Sequence, residues 1–293
     1  LDYARKLNYQ PNSAARSLAT RRTYTVGLVL PELMASFFAD IAMGAARRLQ
    51  PRGYTLMLAN SNESEEMEQR EVEQLLARRV DGLLVASASA GDRVGLFDRI
   101  RKSRTPLVLV DREFPGYEAD FAGVDNVELG RLATAYLVER GCRSIAHLAC
   151  ESLATGPARR KGYELALEQA GLAPRLLQSE NTDEGGYAAA RQMVAEGNIP
   201  DGVFCFSDPV AVGAEQAILE AGLKIPEDIS IVGAGNIRYS GHFRVPLTTV
   251  DMSSPAIGEA AAGYLLDRIE GRVEDGPRTF RALLRILARQ STR

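Results

Sequence analysis

Asp111-Arg112, Asp125-Asn126, Ser207-Asp208 and Asn236 each stand where a β-branched apolar run gives way to polar residues. Ser36-Phe37-Phe38 follows the first such run, and Arg159 lies near the start of a helical pattern. Carboxylates, a guanidinium fork and aromatic faces at such places suit a small hydroxylated or heterocyclic ligand, through bidentate hydrogen bonds and stacking. Asp and Ser at strand-to-helix junctions equally well cap the helix that follows. Composition leaves both readings open. Reaction chemistry is poorly supplied. The chain has no GxxxxGK[ST] loop, no GxSxG elbow and no HExxH. Gly233 and Gly235 form a GxG without the third glycine of a dinucleotide fingerprint, and a strand-end turn accounts for it. His147 sits inside an apparent strand and reads as a core histidine, and no carboxylate pair takes acid and base roles. No catalytic residue is expected. With Cys142, Cys150 and Cys205 in no CxxC pair and only His147 and His242 besides, neither a metal cage nor a cofactor is expected. The cysteines read as buried thiols in a reducing cytosol.

The elements that must position these residues alternate. TYTVGLVL (23–30), YTLMLAN (54–60), GLLVAS (82–87), PLVLVD (106–111) and FAGVD (121–125) read as strands. Helical patterns at 38–49, 64–79 and 92–103 separate the first four of them. The pattern restarts with helices near 126–140, 157–170, 184–196, 209–221 and 254–269. Between them lie SIAHLA (144–149), RLLQSE (175–180), GVFCFS (202–207), SIVGAG (230–235) and LTTVD (247–251). Such alternation builds a parallel sheet covered by helices on both faces, and 293 residues suffice for two cores. The expectation is an α/β chain of two doubly wound parallel-sheet lobes. Ligands of such sheets bind beyond the carboxyl ends of the strands, here in a cleft where those ends face each other.

The first 23 residues differ. Arg5, Lys6, Arg16, Arg21 and Arg22 against Asp2 alone give them a net charge of +4, leaving −7 for the rest of a chain whose total is −3. A basic arm on an acidic body points to a polyanion at one end only. Pro11 disfavours helix at Gln10, and NSAARSLA (12–19) forms at most one short helix, marginal without a partner. No apolar run approaches the ~20 residues of a membrane span, and no signal peptide is evident, so a cytoplasmic protein without membrane contact is expected.

LNYQPNSAARSLATRRTYTVGLVLPEL (7–33) resembles the junction of the lactose-repressor (LacI/GalR) family, from the last headpiece helix through the hinge helix into the core. SFFADIAMGA (36–45), RRVDGLLV (78–85), PLVLVDR (106–112), GVDNVELG (123–130), YLVERGCRSIAHL (136–148) and RRKGYELAL (159–167) match in the same order. DPVAVGAEQAILEAGLKIPEDISIVG (208–233), VPLTTVD (245–251) and RQST (289–292) complete a likeness that spans essentially the whole chain.

The resemblance implies the LacI core, two lobes of periplasmic-binding-protein type I, with an N-terminal hinge segment. The expected domains are 1–23 for the headpiece remnant and hinge, 24–124 plus 253–281 for one lobe, and 125–252 plus 282–293 for the other. It implies an effector-responsive, DNA-binding transcription regulator, a repressor in which a small molecule in the inter-lobe cleft alters hinge-helix binding to the operator. Leu18 matches the family's minor-groove wedge, with Asn12, Ala15, Arg16 and Ser17 beside it. Most of the helix-turn-helix that gives operator specificity would precede Leu1. Ser36, Phe37, Phe38, Asp111, Asp125, Arg159, Asn181, Ser207, Asp208 and Asn236 are the implied effector residues. Gly235 stands where the family usually has an aspartate, and Asn181 where it often has an aromatic residue. The implied partners are operator DNA, a sugar or related metabolite, and a second copy of the chain. The alternative is a stand-alone periplasmic-type solute-binding protein, which the hinge segment disfavours.

Overall fold

Short β-branched runs become strands, and the central ones are buried along nearly their whole length. In the computed structural model, which describes residues 22–33, 35–88, 94–114, 117–273 and 276–293, two sheets of six strands form. The first is ordered β11-β5-β4-β3-β1-β2, with β1 Thr25–Leu30, β2 Thr55–Asn60, β3 Gly82–Val85, β4 Leu107–Val110, β5 Asp120–Gly123 and β11 Thr279–Arg281. The second is ordered β12-β10-β9-β8-β6-β7. Its strands are β6 Ile145–Ala149, β7 Arg175–Gln178, β8 Gly202–Cys205, β9 Ser230–Ala234, β10 Thr248–Asp251 and β12 Arg285–Leu287. β1 pairs in parallel with β2 and β3, and β3 with β4. β6 to β10 are likewise parallel, while β12 joins β10 antiparallel. The α/β architecture of two doubly wound sheets is therefore present.

Eight α-helices connect the strands among the described residues: α1 Ser36–Leu49, α2 Glu65–Ala77, α3 Val94–Ser103, α4 Asn126–Glu139, α5 Gly156–Ala170, α6 Asp183–Ala195, α7 Asp208–Glu220 and α8 Ser254–Ile269. The chain divides into two compact units. One takes residues 22–33, Ala42–Phe121 and Gly258–Thr279; the other takes 35–41, Ala122–Ile257 and Phe280–Arg293.

The first unit packs Val72 and Leu75 of α2 and Phe97 and Ile100 of α3 onto Val29, Leu83, Val85 and Leu109. On Gly82 a Cβ would meet Leu265 at 2.8 Å, so glycine lets α8 lie close on β3.

In the second unit period-two alternation sorts the strands. Ala146, Leu148, Val203 and Cys205 pack with Ala190 and Met193 of α6 and Val210 and Ala214 of α7. His147 belongs to the alternate set, stacked on Phe204 with centroids 4.4 Å apart and tilted against Tyr163 of α5 at 5.3 Å. It is fully buried, its Nδ1 lies 2.9 Å from the Phe204 carbonyl, and burial pushes its pKa down to about 4. The core reading of His147 therefore holds. All three cysteines are buried and free, and burial raises the Cys150 thiol to about 12.

Candidate functional site

Two pairs of helices frame the carboxyl ends of the second unit's strands, and each pair meets through glycines. A Cβ on Gly130 of α4 would sit 2.0 Å from the Arg159 carbonyl, and one on Gly162 of α5 would sit 1.9 Å from that of Val127. Gly186 of α6 and Gly213 of α7 face the carbonyls of Val210 and Asp183 at 2.1 and 1.8 Å in the same sense. This backbone-to-backbone approach fixes where α5 and α7 begin, and the polar side chains sit at those beginnings.

Arg159, in the first turn of α5, is buried. Its Nε donates to Asn126 Oδ1 at 2.9 Å and its Nη1 to the Phe206 carbonyl at 2.5 Å, and its guanidinium lies 4.2 Å from the Phe206 ring centroid. A cation on a ring face gains about 1–2 kcal/mol in a desolvated setting. Beside it, Ser207 caps α7 and donates its hydroxyl to Asn181 Oδ1 at 2.6 Å. Asp125 caps α4, accepting from the amides of Val127 and Glu128 at 3.0 Å each. The capping reading of Asp and Ser thus applies to both residues. It leaves Asp125 exposed and the Asn181 side chain at the surface.

Asp208 lies beneath them, wholly buried. Thr249 donates to its Oδ1 at 2.6 Å and the Ile237 amide to its Oδ2 at 2.8 Å. A Cβ on Gly233 would stand 2.3 Å from Oδ1, so the glycine of SIVG makes room for this carboxylate. Burial lifts the Asp208 pKa to about 6 against these hydrogen bonds. Asn236, in left-handed backbone at φ 52°, accepts from Arg289 at 2.8 Å and donates to Asp251 at 3.4 Å. Arg289 also reaches the Leu247 carbonyl at 2.6 Å and Ser240 at 3.1 Å.

The remaining sequence candidates lie elsewhere. Ser36, Phe37 and Phe38 open α1, with the two rings edge-to-face at 5.1 Å. The Ser36 hydroxyl is buried and makes no hydrogen bond among the described residues. Asp111 stands at the carboxyl end of β4 in the first unit, in left-handed backbone at φ 62°. Next to it the buried Arg112 grips Glu63 bidentately at 2.6 and 2.7 Å and the Ser87 carbonyl at 2.9 Å. Asn12, Ala15, Arg16, Ser17 and Leu18 lie outside the described residues.

Sequence reasoning missed Phe206, Thr249 and Arg289 and left Asn126 unassigned. Arg289 sits 53 positions from Asn236, and only the RQST likeness marked its neighbourhood.

Residues 23–289 match the family described as periplasmic binding proteins and sugar binding domain of LacI family. The chain belongs to this family. Its LacI-family relatives include the HTH-type transcriptional repressor PurR of Yersinia pestis bv. Antiqua, 34% identical over 98% of this chain and 85% of that protein. The structure of the CelR–cellobiose complex superposes with a TM-score of 0.84 at 29% identity, covering 98% of this chain and 88% of CelR. A LacI-family regulator from Enterococcus faecium with bound ribose reaches a TM-score of 0.82 at 26% identity, over 92% of this chain and 98% of that one. The LacI-family chain described here is an effector-responsive transcription regulator.

Proposed function

We propose that this regulator senses a small polyhydroxylated metabolite, a sugar or a close relative, at the carboxyl ends of the second unit's strands. The observation that carries the reading is the group of neutral hydrogen-bonding atoms gathered there. Asn126 and the Phe206 carbonyl hold Arg159, Asn181 holds Ser207, and the Phe206 ring backs the guanidinium. Ligand hydroxyls can exchange with such partners at little electrostatic cost. The relatives solved with cellobiose and with ribose support a sugar. Asp125 and Asn181 offer surface oxygens, Ser36 a hydroxyl and Phe37 a ring face. Asp208 and Asn236 organise the turn beneath, and Asp111 does the same for the first unit. The protein has no catalytic role in this reading and works in the cytoplasm.

DNA binding uses the basic first 23 residues, through Asn12, Ala15, Arg16, Ser17 and Leu18, with an upstream helix-turn-helix reading sequence. Effector changes operator affinity only by its differential affinity for two conformational states. The working species is a homodimer joined through α1 and α2. Exposed Met43, Leu58 and Met67, on α1, β2 and α2, support that interface.

A thermal-shift screen of mono- and disaccharides tests the effector site. A true effector at a hundredfold excess over its Kd stabilises the fold by about 2.7 kcal/mol. Arg159→Met should abolish that gain while the variant stays folded; a gain of unchanged size would refute the site. Met43→Lys should halve the mass measured by sedimentation.

A further inference from the structure

Two helix ends of the first unit break a rule that the other helix ends keep. After five of the eight α-helices among the described residues, and after the 3-10 turn Gln50–Arg52 that extends α1, the left-handed backbone position that ends the helix is a glycine. These are Gly53, Gly141, Gly171, Gly197, Gly222 and Gly271, with φ from 66° to 91°. Glycine is the unstrained choice, because a Cβ in that region crowds the neighbouring carbonyl. After α2 and α3 the position is held instead by Arg79 at φ 55° and Arg104 at φ 57°. Both are exposed, and neither side chain makes a hydrogen bond or ion pair among the described residues.

These two arginines are neighbours. Arg79 precedes β3 and Arg104 precedes β4, strands that pair directly, and the Leu83 amide donates to the Pro106 carbonyl at 2.9 Å. Arg79 also touches the point where the chain arrives from the basic N-terminal segment. Thr23 donates its hydroxyl to the Arg79 carbonyl at 2.9 Å, and the amides of Thr23 and Tyr24 donate to Asp81 at 2.9 and 2.8 Å. Since β1, β3 and β4 are consecutive in the sheet and strands lie about 4.8 Å apart, the strands that follow the two arginines run about 5 and about 10 Å from β1. Arg78, Arg101 and Lys102 are exposed beside them. Of the acids on these segments, Asp81 is engaged by the arriving chain and Asp98 by Arg101 at 2.6 Å, while the exposed Glu118 lines the same hollow as Arg104. A cation that only complemented a helix dipole would need no left-handed backbone, and Arg78, one residue earlier, already fills that role.

We propose that Arg79 and Arg104 form a second DNA contact, gripping the phosphate backbone of the duplex that the N-terminal segment binds. The left-handed backbone ends each helix at these residues, whose side chains are exposed. At helix ends the strain is tolerated only in the unit that adjoins the DNA-binding segment; in the other unit all four such positions are glycine. The inference rests on the reading that residues 1–23 bind DNA.

The test titrates this chain against a fluorescein-labelled mixed-sequence duplex of about 30 base pairs over a range of salt. Arg79→Gly with Arg104→Gly removes two charges and also relieves the backbone, so the variant should melt no lower than the parent. Its binding should weaken about tenfold at 0.1 M salt, and the slope of log K against log salt should shrink by about 1.8. Arg79→Lys with Arg104→Lys should keep the parent slope. A glycine variant with the parent's slope and affinity overturns the inference, as does a parent chain that binds no duplex. Arg16→Ala separates the two readings. If it weakens binding while the glycine pair does not, the N-terminal contact stands and the second contact falls; if neither variant changes binding, both fall.

Discussion

The two units close the carboxyl ends of their sheets with opposite chemistry. In the first, Arg112 is clamped bidentately by Glu63, and the buried Glu68 accepts from the Ser87 hydroxyl at 2.8 Å and from the Ala88 amide. Asn62, Glu63 and Asp111 are all held in left-handed backbone to achieve this. In the second, Arg159 donates to an amide oxygen and a carbonyl and rests on an aromatic face, and Ser207 pairs with an amide. An ion pair removed from water loses several kcal/mol when one partner leaves. A hydrogen bond from a guanidinium to a neutral acceptor is worth about 1.5–3 kcal/mol, and a neutral pair such as Ser207 and Asn181 about 1 kcal/mol. A ligand oxygen can replace either acceptor without leaving a buried carboxylate unpaired. The first arrangement is committed to itself, whereas the second can trade partners with a ligand.

The comparison breaks most violently at the helix crossings. Gly162→Ala would drive a Cβ to 1.9 Å from the Val127 carbonyl, so α4 and α5 must separate and Arg159 loses its place. Overpacking against backbone costs about 3 kcal/mol or more, read as a lowered urea midpoint together with loss of the effector-induced shift. Gly95 of α3, in the first unit, has nothing within 4 Å of such a Cβ. There the same change should stabilise by about 0.5 kcal/mol through helix propensity.

The ion pair supplies the next effect. Arg112→Met leaves the half-buried Glu63 without its fork and should cost about 3 kcal/mol, since the carboxylate can partly rehydrate. Effector stabilisation should survive in this variant. If Arg112→Met lost it while Arg159→Met kept it, the roles assigned to the two strand ends would have to be exchanged.

The framework was legible because each element carries its own period. Alternating apolar runs located β1 to β10, and the helical spacing of Val72, Leu75 and Leu76 located α2. The strands β11 and β12, three residues each, are too short to show a period. Asp125 and Ser207 were visible as helix starts, because capping is a local rule. Arg289 was not, because its partners Asn236, Ser240 and Leu247 are more than forty residues away and no local spacing encodes that meeting. Arg79 and Arg104 looked like ordinary charged helix ends, and only the backbone angle distinguishes them.

Asp208 sharpens the comparison through pH. Its pKa is raised to about 6 in the folded protein, above its ordinary 3.8, chiefly by burial. The native state therefore binds the proton more tightly than the unfolded chain does. The protonated form's advantage is fully present below pH 4 and is lost as pH rises through 6. Asp208→Asn has no such proton, so the stability of the parent relative to this variant should fall by about 3 kcal/mol between pH 4 and pH 7. Paired urea melts at each pH isolate the difference. A gap independent of pH would mean that the carboxylate is ionised throughout, held by Thr249 and the Ile237 amide.

The smallest effect separates capping from recognition at the site itself. Asp125→Ala removes two amide partners at the start of α4 and should cost about 1 kcal/mol in stability. Ser207→Ala removes a longer capping bond, 3.5 Å to the Val210 amide, together with the 2.6 Å bond to Asn181, so its stability loss should be of similar size. The two should part company in effector binding. Ser207 presents a hydroxyl whose partner is a surface amide that a ligand can replace, so Ser207→Ala should weaken effector binding about tenfold, measured by calorimetry. Asp125 already spends one oxygen on two amides, and its loss should weaken binding less. If both variants lost only stability and bound effector as the parent does, these residues would be helix caps and nothing more, and recognition would fall to Arg159 and its aromatic neighbour.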